Sequence, residues 1–262
     1  SKIPGEANHY LYRPRGTAVA IAPWNFPLAI LCGMTVGPLV AGNPVIMKPA
    51  EQSPAIAYEL FKILIEAGAP SEVLHFLPGR GEEIGAHLVK HPHVHIVSFT
   101  GSRAVGLRIL TEANHVVPGQ RHIKRVVAEM GGKNAILIDD DADLDESVAG
   151  VIHSAFGFQG QKCSAASRVI VLESCYEKFK HRLSEAAASL RIGSPEDPSN
   201  KIGPVIDEEA KIRLLQVIER NSSRIVSQLK LAPGLSEQGN FVPPTVFESE
   251  DFHSELGQNE FF

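Results

Sequence analysis

The sequence predicts an α/β protein in which parallel sheet is covered by helices and the chain divides into two lobes. Three observations carry this. Apolar, β-rich runs alternate repeatedly with helical patterns. The strand candidates are uniformly apolar rather than alternating, the pattern of strands buried on both faces. The 262 residues are 44% apolar and 21% charged, which is ordinary for a globular chain and sufficient for a large core.

The elements follow in order. Thr17 to Ala22 reads as a strand, Leu28 to Ala41 as a buried helix bent near Pro38, and Pro44 to Met47 as a second strand. Ser53 and Pro54 supply an N-cap and a first-turn proline for a helix through Ala67, which Gly68 closes. Val73 to Leu77 is a strand, Glu82 to Lys90 a short helix, and His95 to Phe99 a strand. A helix from Ser102 to Ala113 precedes strands Arg125 to Glu129 and Asn134 to Ile138. Asp143 caps a helix through Phe156. Arg168 to Leu172 is a strand, Tyr176 to Leu190 a helix, and Asp207 opens another helix to Asn221. Gly131 and Gly132 mark the boundary between the lobes.

Several function classes are disfavoured. The net charge is −5 and no basic block is present, so a nucleic-acid footprint is not expected. No charged residue lies between Arg15 and Lys48, a span of 32 positions, but Pro23, Pro27, Pro38 and Pro44 interrupt it, which argues against a membrane span. No charged-then-apolar leader is visible at the N-terminus. The three cysteines, Cys32, Cys163 and Cys175, do not make a disulfide framework and suit a reducing compartment.

Four local patterns mimic sites. Gly101 to Gly106 has P-loop spacing, but Leu107 and Arg108 follow where Lys and Ser or Thr are required. Gly79, Gly81 and Gly85 are one residue too widely spaced for a dinucleotide fingerprint. His91, His93 and His95 flank Pro92 without a partnering carboxylate motif, and read as a solvated turn. Asp139, Asp141 and Asp143 begin like a calcium loop, but Leu144 and Gly150 stand where Gly and Glu are needed.

Three residues invite a chemical reading. Cys163 lies in Gly160-Gln161-Lys162-Cys163-Ser164, where glycine on the approach suggests a tight turn exposing the thiol; the alternative is a small buried hydrophobe, which suits Cys32 and Cys175. Glu129 ends an apolar strand before Met130-Gly131-Gly132-Lys133, as a cleft carboxylate or as the partner of Lys133. Asn25, in Pro23-Trp24-Asn25-Phe26-Pro27, is either an amide donor for an oxyanion or a turn former.

Taken together, the Asn25 loop, Lys48-Pro49, Phe99-Thr100-Gly101-Ser102, Glu129-Met130-Gly131-Gly132-Lys133 and Gly160-Gln161-Lys162-Cys163 resemble the aldehyde dehydrogenase superfamily. They occur in its order along essentially the whole chain, with Cys163 34 positions after Glu129. Within it, Pro4-Gly5-Glu6-Ala7-Asn8, the run Pro118 to Arg125 and the run Phe156 to Ala165 look most like the glutamate-semialdehyde (Δ1-pyrroline-5-carboxylate) dehydrogenases.

The resemblance implies a Rossmann-type NAD-binding lobe and a second α/β catalytic lobe. It implies Cys163 as nucleophile, Glu129 as the base that releases the acid, and Asn25 with the Cys163 backbone N–H as oxyanion donors. Lys48 and Glu51 would hold the adenosine ribose, with Glu51 selecting NAD over NADP. Ala22, Pro23, Trp24, Gly101, Ser102, Gly106, Met130 and Gly131 would lie along the dinucleotide, and Glu260 would bond the nicotinamide ribose. Phe158 and Ser164 are the candidates for substrate contact. Residues 1–14 would belong to an oligomerisation hairpin, 15–131 to the C-terminal part of the NAD-binding lobe, and 132–262 to a catalytic lobe incomplete at its C-terminus. The whole chain would be an interior fragment. The resemblance further implies NAD-dependent oxidation of a small aldehyde, a homo-oligomer, possible fusion to a proline dehydrogenase domain, and a cytoplasmic or mitochondrial-matrix location. Competing readings are a dehydrogenase of another semialdehyde such as succinylglutamate semialdehyde, an acylating enzyme in which Glu129 would be unnecessary, and an inactive scaffold.

Overall fold

A computed structural model describes residues 3–249 and 251–262. Residues 1 and 2 of the expected hairpin lie outside the described residues, and 3–14 form no strand. The chain separates into two compact units, with the break after Met130.

The first unit is a five-stranded parallel sheet in the order β3-β2-β1-β4-β5. Its strands are β1 (Thr17–Ile21), β2 (Val45–Lys48), β3 (Leu74–Phe76), β4 (Val94–Thr100) and β5 (Arg125–Glu129). Helix α1 (Ala29–Val40) links β1 to β2, and α2 (Pro54–Glu66) links β2 to β3. A π-turn, Gly81–Gly85, runs into α3 (Ala86–Lys90) before β4, and α4 (Arg103–Ala113) leads to β5. The strand order reverses between β1 and β4, the arrangement of doubly wound folds, whose ligands bind at the carboxyl ends of the strands. Ala18, Val19 and Ala20 are fully buried at the centre of the sheet. One core cluster packs Leu31, Met47, Leu60 and Leu74 on that centre; another packs Val89, Val97, Phe99 and Ile109.

Local chemistry explains the element ends. Gly68 closes α2 at φ +100°, a conformation that costs a side-chain-bearing residue strain. Asp143 and Ser102 cap their helices as expected: the Asp143 carboxylate accepts from the N–H groups of Asp145 and Glu146, and Ser102 Oγ accepts from Val105 N–H.

Three expectations are corrected. Ser53 does not cap α2: its hydroxyl makes no capping bond and is buried without a partner, while Pro54 holds the first turn through its fixed φ. Helix α1 is not buried all round. Only Leu31 and Thr35 are fully covered, because the helix lies on one face of the sheet with Val40 turned outward. The strands are not uniformly buried either. β5 alternates exposed and half-buried residues because it is the edge of its sheet.

The second unit joins β6 (Asn134–Ile138) and β7 (Ala166–Val171) in parallel through α5 (Leu144–Phe156). Helices α6 (Glu173–Ala188) and α7 (Glu208–Arg220) follow, and β8 (Ile225–Gln228) pairs antiparallel with β9 (Thr245–Phe247). Short helical turns occupy Leu235–Gln238 and Glu255–Gln258. Phe179 is the largest fully buried side chain, packed with Ile138, Val148, Val151 and Leu183. Burying such side chains contributes roughly 1.5–3 kcal/mol each.

Candidate active site

In the first unit, the candidate residues collect at the carboxyl edge of the parallel sheet. Ala22, Pro23, Trp24 and Asn25 follow β1; Lys48 ends β2 and Glu51 lies just beyond it; Gly101 and Ser102 follow β4; Glu129 ends β5 and Met130 follows it. The strand register explains this convergence. Thr100 pairs with Glu129, Ile21 with both Lys48 and Phe99, and Gly101 N–H donates to the Glu129 carbonyl at 3.1 Å.

Lys48 is 2% exposed, and its ammonium pairs with Glu51 Oε2 at 3.2 Å. A charge that deep needs a partner, and Glu51 supplies it while leaving part of its own carboxylate open. Burial acts to raise the Glu51 carboxyl, but backbone N–H groups and the Lys48 ammonium outweigh it, so Glu51 titrates below its ordinary range.

The N-terminus of α4 is shaped for close approach. A Cβ on Gly101 would stand 2.7 Å from the Phe99 ring, and one on Gly106 would stand 2.7 Å from Met130 Sδ. These glycines let the helix start lie tightly against the sheet edge, with its free N–H groups available to an anion. A deep Lys–Glu pair, a glycine cradle and a capped helix N-terminus on one sheet edge fit the ribose and pyrophosphate of a dinucleotide. Asn25 is 5% exposed on the same edge, and Glu129 is exposed at the end of β5.

In the second unit, Cys163 is half-buried between α5 and β7, and all three cysteines are free thiols. Cys175 is structural: it is buried, with its thiol against the Leu172 and Asp139 carbonyls. The approach to Cys163 is left-handed at three consecutive residues, Phe158 (φ 57°), Gln159 (φ 58°) and Gly160 (φ 69°). For Phe and Gln this costs roughly 1–2 kcal/mol each, and such strain persists only where surrounding contacts hold it.

The residues just beyond this turn are fastened. Gln161 is buried, and its side-chain carbonyl accepts from Ile206 N–H at 3.0 Å. Ser154 Oγ accepts from Ala166 N–H at 3.1 Å. The Asn134 amide donates to the Cys163 and Ala165 carbonyls at 2.7 and 3.0 Å. Phe158 is 48% exposed, and Ser164 is exposed directly after Cys163. A cavity of about 570 Å³ is bounded by Gln159, Gly160 and Lys162, but neither Cys163 nor Ser164 lines it.

Glu260 folds back onto the glycine pair. Its Oε1 accepts from Gly132 N–H at 3.2 Å, and a Cβ on Gly131 would fall inside its carboxylate. Lys133 packs over the Phe261 ring with its ammonium 4.6 Å from the centroid. Burial, reinforced by Arg168 and opposed by Glu260, lowers Lys133 to about 8. Among the described residues no group of three or more His, Cys, Asp or Glu side chains is placed to hold a metal ion, and the Asp143 carboxylate is engaged as a helix cap. Asn134 and Ser154 lie outside the motifs quoted above, and Gln161, though inside one, is not an expected site residue. A polar residue opening an apolar strand right after Gly-Gly-Lys is the one signal that points to Asn134.

Comparison with known proteins accords with this geometry. A profile described as "Aldehyde dehydrogenase family" matches residues 1–262. The 1-pyrroline-5-carboxylate dehydrogenase of Anoxybacillus flavithermus is 45% identical over 261 residues, 99% of this chain and 50% of that protein. The enzyme of the same name from Bacillus subtilis is 43% identical over 258 residues, 98% of this chain and 50% of that protein. Among solved structures, a Thermus 1-pyrroline-5-carboxylate dehydrogenase with bound NAD superposes with a TM-score of 0.89 at 44% identity, covering 95% of this chain and 48% of that one. Proline utilization A from Bdellovibrio bacteriovorus superposes with a TM-score of 0.91 at 51% identity, covering 95% of this chain and 26% of that one. The chain thus spans about half the length of the curated relatives it matches. The structure also has no helix long and apolar enough to cross a membrane among the described residues. On the profile match along its length, the chain belongs to the aldehyde dehydrogenase family.

Proposed function

We propose that the protein is an NAD-dependent dehydrogenase that oxidises L-glutamate γ-semialdehyde to L-glutamate, a step of proline degradation. The observation that carries this reading is the carboxyl edge of the β3-β2-β1-β4-β5 sheet, which gathers the Lys48–Glu51 pair, the Gly101–Ser102 helix start, Asn25 and Glu129. The substrate class rests on the likeness to the 1-pyrroline-5-carboxylate dehydrogenases.

In this reading the Cys163 thiolate adds to the aldehyde carbon, forming a carbon–sulfur bond and placing the charge on oxygen. The Asn25 amide and the Cys163 N–H donate to that oxyanion, and loss of one such donor typically costs about 10²–10³ in rate. Bound NAD⁺ supplies the hydride acceptor. Glu129 then takes a proton from water, which attacks the resulting Cys163 thioester and frees the carboxylic acid and the thiolate. Lys48 and Glu51 would hold the adenosine ribose, where the Glu51 carboxylate would repel a 2′-phosphate. Ala22, Pro23, Trp24, Gly101, Ser102, Gly106, Met130 and Gly131 would border the dinucleotide, and Glu260 would bond the nicotinamide ribose. Phe158 and Ser164 face the substrate. The partition into an NAD-binding lobe to residue 131 and a catalytic lobe from 132 belongs to the same reading. So do an N-terminal oligomerisation segment, a homo-oligomer, fusion to a proline dehydrogenase domain and a cytoplasmic location (the matrix in a mitochondrial setting). The likeness to proline utilization A supports the fusion.

The test is NADH formation across a panel of semialdehydes in the full-length protein. Cys163→Ala should abolish aldehyde-dependent NADH formation, and retained turnover would end the assignment. A clear preference for another semialdehyde would reassign the substrate.

A further inference from the structure

We propose that Asn134 is a positioning residue for Cys163, setting the backbone from which the thiol attacks. The proposal rests on Cys163 being the nucleophile. Both N–H groups of one side-chain amide are committed to one loop: Nδ2 of Asn134 donates to the Cys163 carbonyl at 2.7 Å and to the Ala165 carbonyl at 3.0 Å. Asparagine is suited to this bridge because a single nitrogen offers two donors. A hydroxyl offers one, and a carboxylate would repel both carbonyls.

The clamp is itself held. Asn134 opens β6 opposite Ala166 of β7, and the register shifts between Asn134 and Ala135, where the strand turns this side chain toward the loop. Ser167 Oγ lies 3.4 Å from the Asn134 carbonyl. A Cβ on Gly132 would come within 3.3 Å of Asn134 Oδ1, so glycine there leaves the amide its room.

The clamp answers a specific need. Upstream of Cys163 the chain passes through the strained Phe158–Gln159–Gly160 turn, with Gln161 fastened to Ile206. Downstream, Ala165 N–H donates to the Lys162 carbonyl at 3.0 Å and Ala166 N–H to Ser154 Oγ at 3.1 Å, which leaves the Cys163 carbonyl to be held by Asn134. Asn134 fastens the downstream side at two points, which holds the Cys163–Ser164 peptide against rotation. The Cα that carries the thiol is steadied from that side. The same four-residue segment holds Glu260 through Gly132 N–H. One short stretch, 131–134, therefore indexes both the nucleophile and the proposed nicotinamide-ribose ligand. Misplacement of a reacting group by about 1 Å can cost about 10²-fold in rate.

The test uses the full-length protein with Asn134→Ala and Asn134→Asp. First-turnover NADH formation, followed by stopped flow at saturating NAD and glutamate semialdehyde, is expected to fall at least about tenfold in both variants, with aldehyde KM and NAD affinity changing less than about threefold. The pH profile of Cys163 alkylation by iodoacetamide is expected to shift in both, a readout that a purely structural role would leave unmoved. Wild-type first-turnover rates with an unchanged alkylation profile would overturn the proposal, as would a loss confined to NAD affinity. If neither variant accumulates folded, Asn134→Ser keeps one donor and should give an intermediate rate; a wild-type rate overturns the proposal equally. Failure of the underlying reading is distinguishable, because turnover would then survive Cys163→Ala.

Discussion

Gly131→Ala probes the role of Glu260 with a single methyl group. In the structure that methyl has no room, because the Glu260 carboxylate occupies the place where Cβ would stand. The obstruction is the far end of a flexible side chain rather than backbone, so the fold can absorb it by swinging the carboxylate away. Thermal stability is therefore expected to change little, within about 0.5 kcal/mol. The cost falls on whatever the carboxylate does. It forfeits its 3.2 Å bond from Gly132 N–H and, on the proposed reading, its bonds to the nicotinamide ribose. A hydrogen bond to a charged group contributes about 1.5–3 kcal/mol. Solvent reaches this segment, which puts the effect at the low end, or about a tenfold rise in the Kd for NAD. The assay is NAD titration of full-length wild-type, Gly131→Ala, Glu260→Ala and double-variant proteins. Both single variants should weaken NAD about tenfold, and the double variant should lose little more, because the two changes remove one interaction. Additive losses, or NAD affinity within twofold of wild type in Gly131→Ala, would refute the reasoning.

Two further outcomes follow from the same physics. Glu51→Ser removes the carboxylate proposed to repel a 2′-phosphate, so the NAD-to-NADP preference in kcat/KM should shrink; an unaltered ratio counts against that role. Lys133 titrates at about 8 in the folded chain against an ordinary value of 10.5, so between those values the unfolded chain holds a proton that the native chain has released. Stability should therefore rise with pH across that window, and below it the charged Lys133 is a standing penalty. Lys133→Met should raise Tm at pH 7 and raise it less at pH 10, and equal shifts at both pH values would show that the buried charge is not the cause.

Much of this architecture is legible in the residues. The strand Arg125–Glu129 and the strand Asn134–Ile138 have the bounds their apolar runs suggest, and Asp143 caps the helix it should. Those signals are local: an apolar run, a capping carboxylate, a glycine past a helix end. What escaped depends on distant partners. β8 and β9 are short and partly polar, and they become strands only by pairing with each other across intervening chain. The exposed flank of α1 reflects how the helix lies with one side on the sheet, which composition does not encode. Left-handed Phe158 and Gln159 are invisible beforehand because that conformation normally advertises itself with Gly or Asn. The Asn134 clamp is hidden for a related reason: its acceptors lie 29 and 31 residues along the chain. Motif reasoning proposes Cys163, whereas only the fold shows what holds its loop in place.

The central claim is that Cys163 carries the acyl group through catalysis, and trapping that group tests it most directly. Full-length Glu129→Gln would be mixed with NAD and glutarate semialdehyde, which has no amine to cyclise onto a thioester, then quenched in acid and digested. The expected result is about one equivalent of NADH per active site and a glutaryl mass increment confined to the peptide containing Cys163. Undiminished steady-state turnover with an unmodified Cys163 peptide would contradict the account.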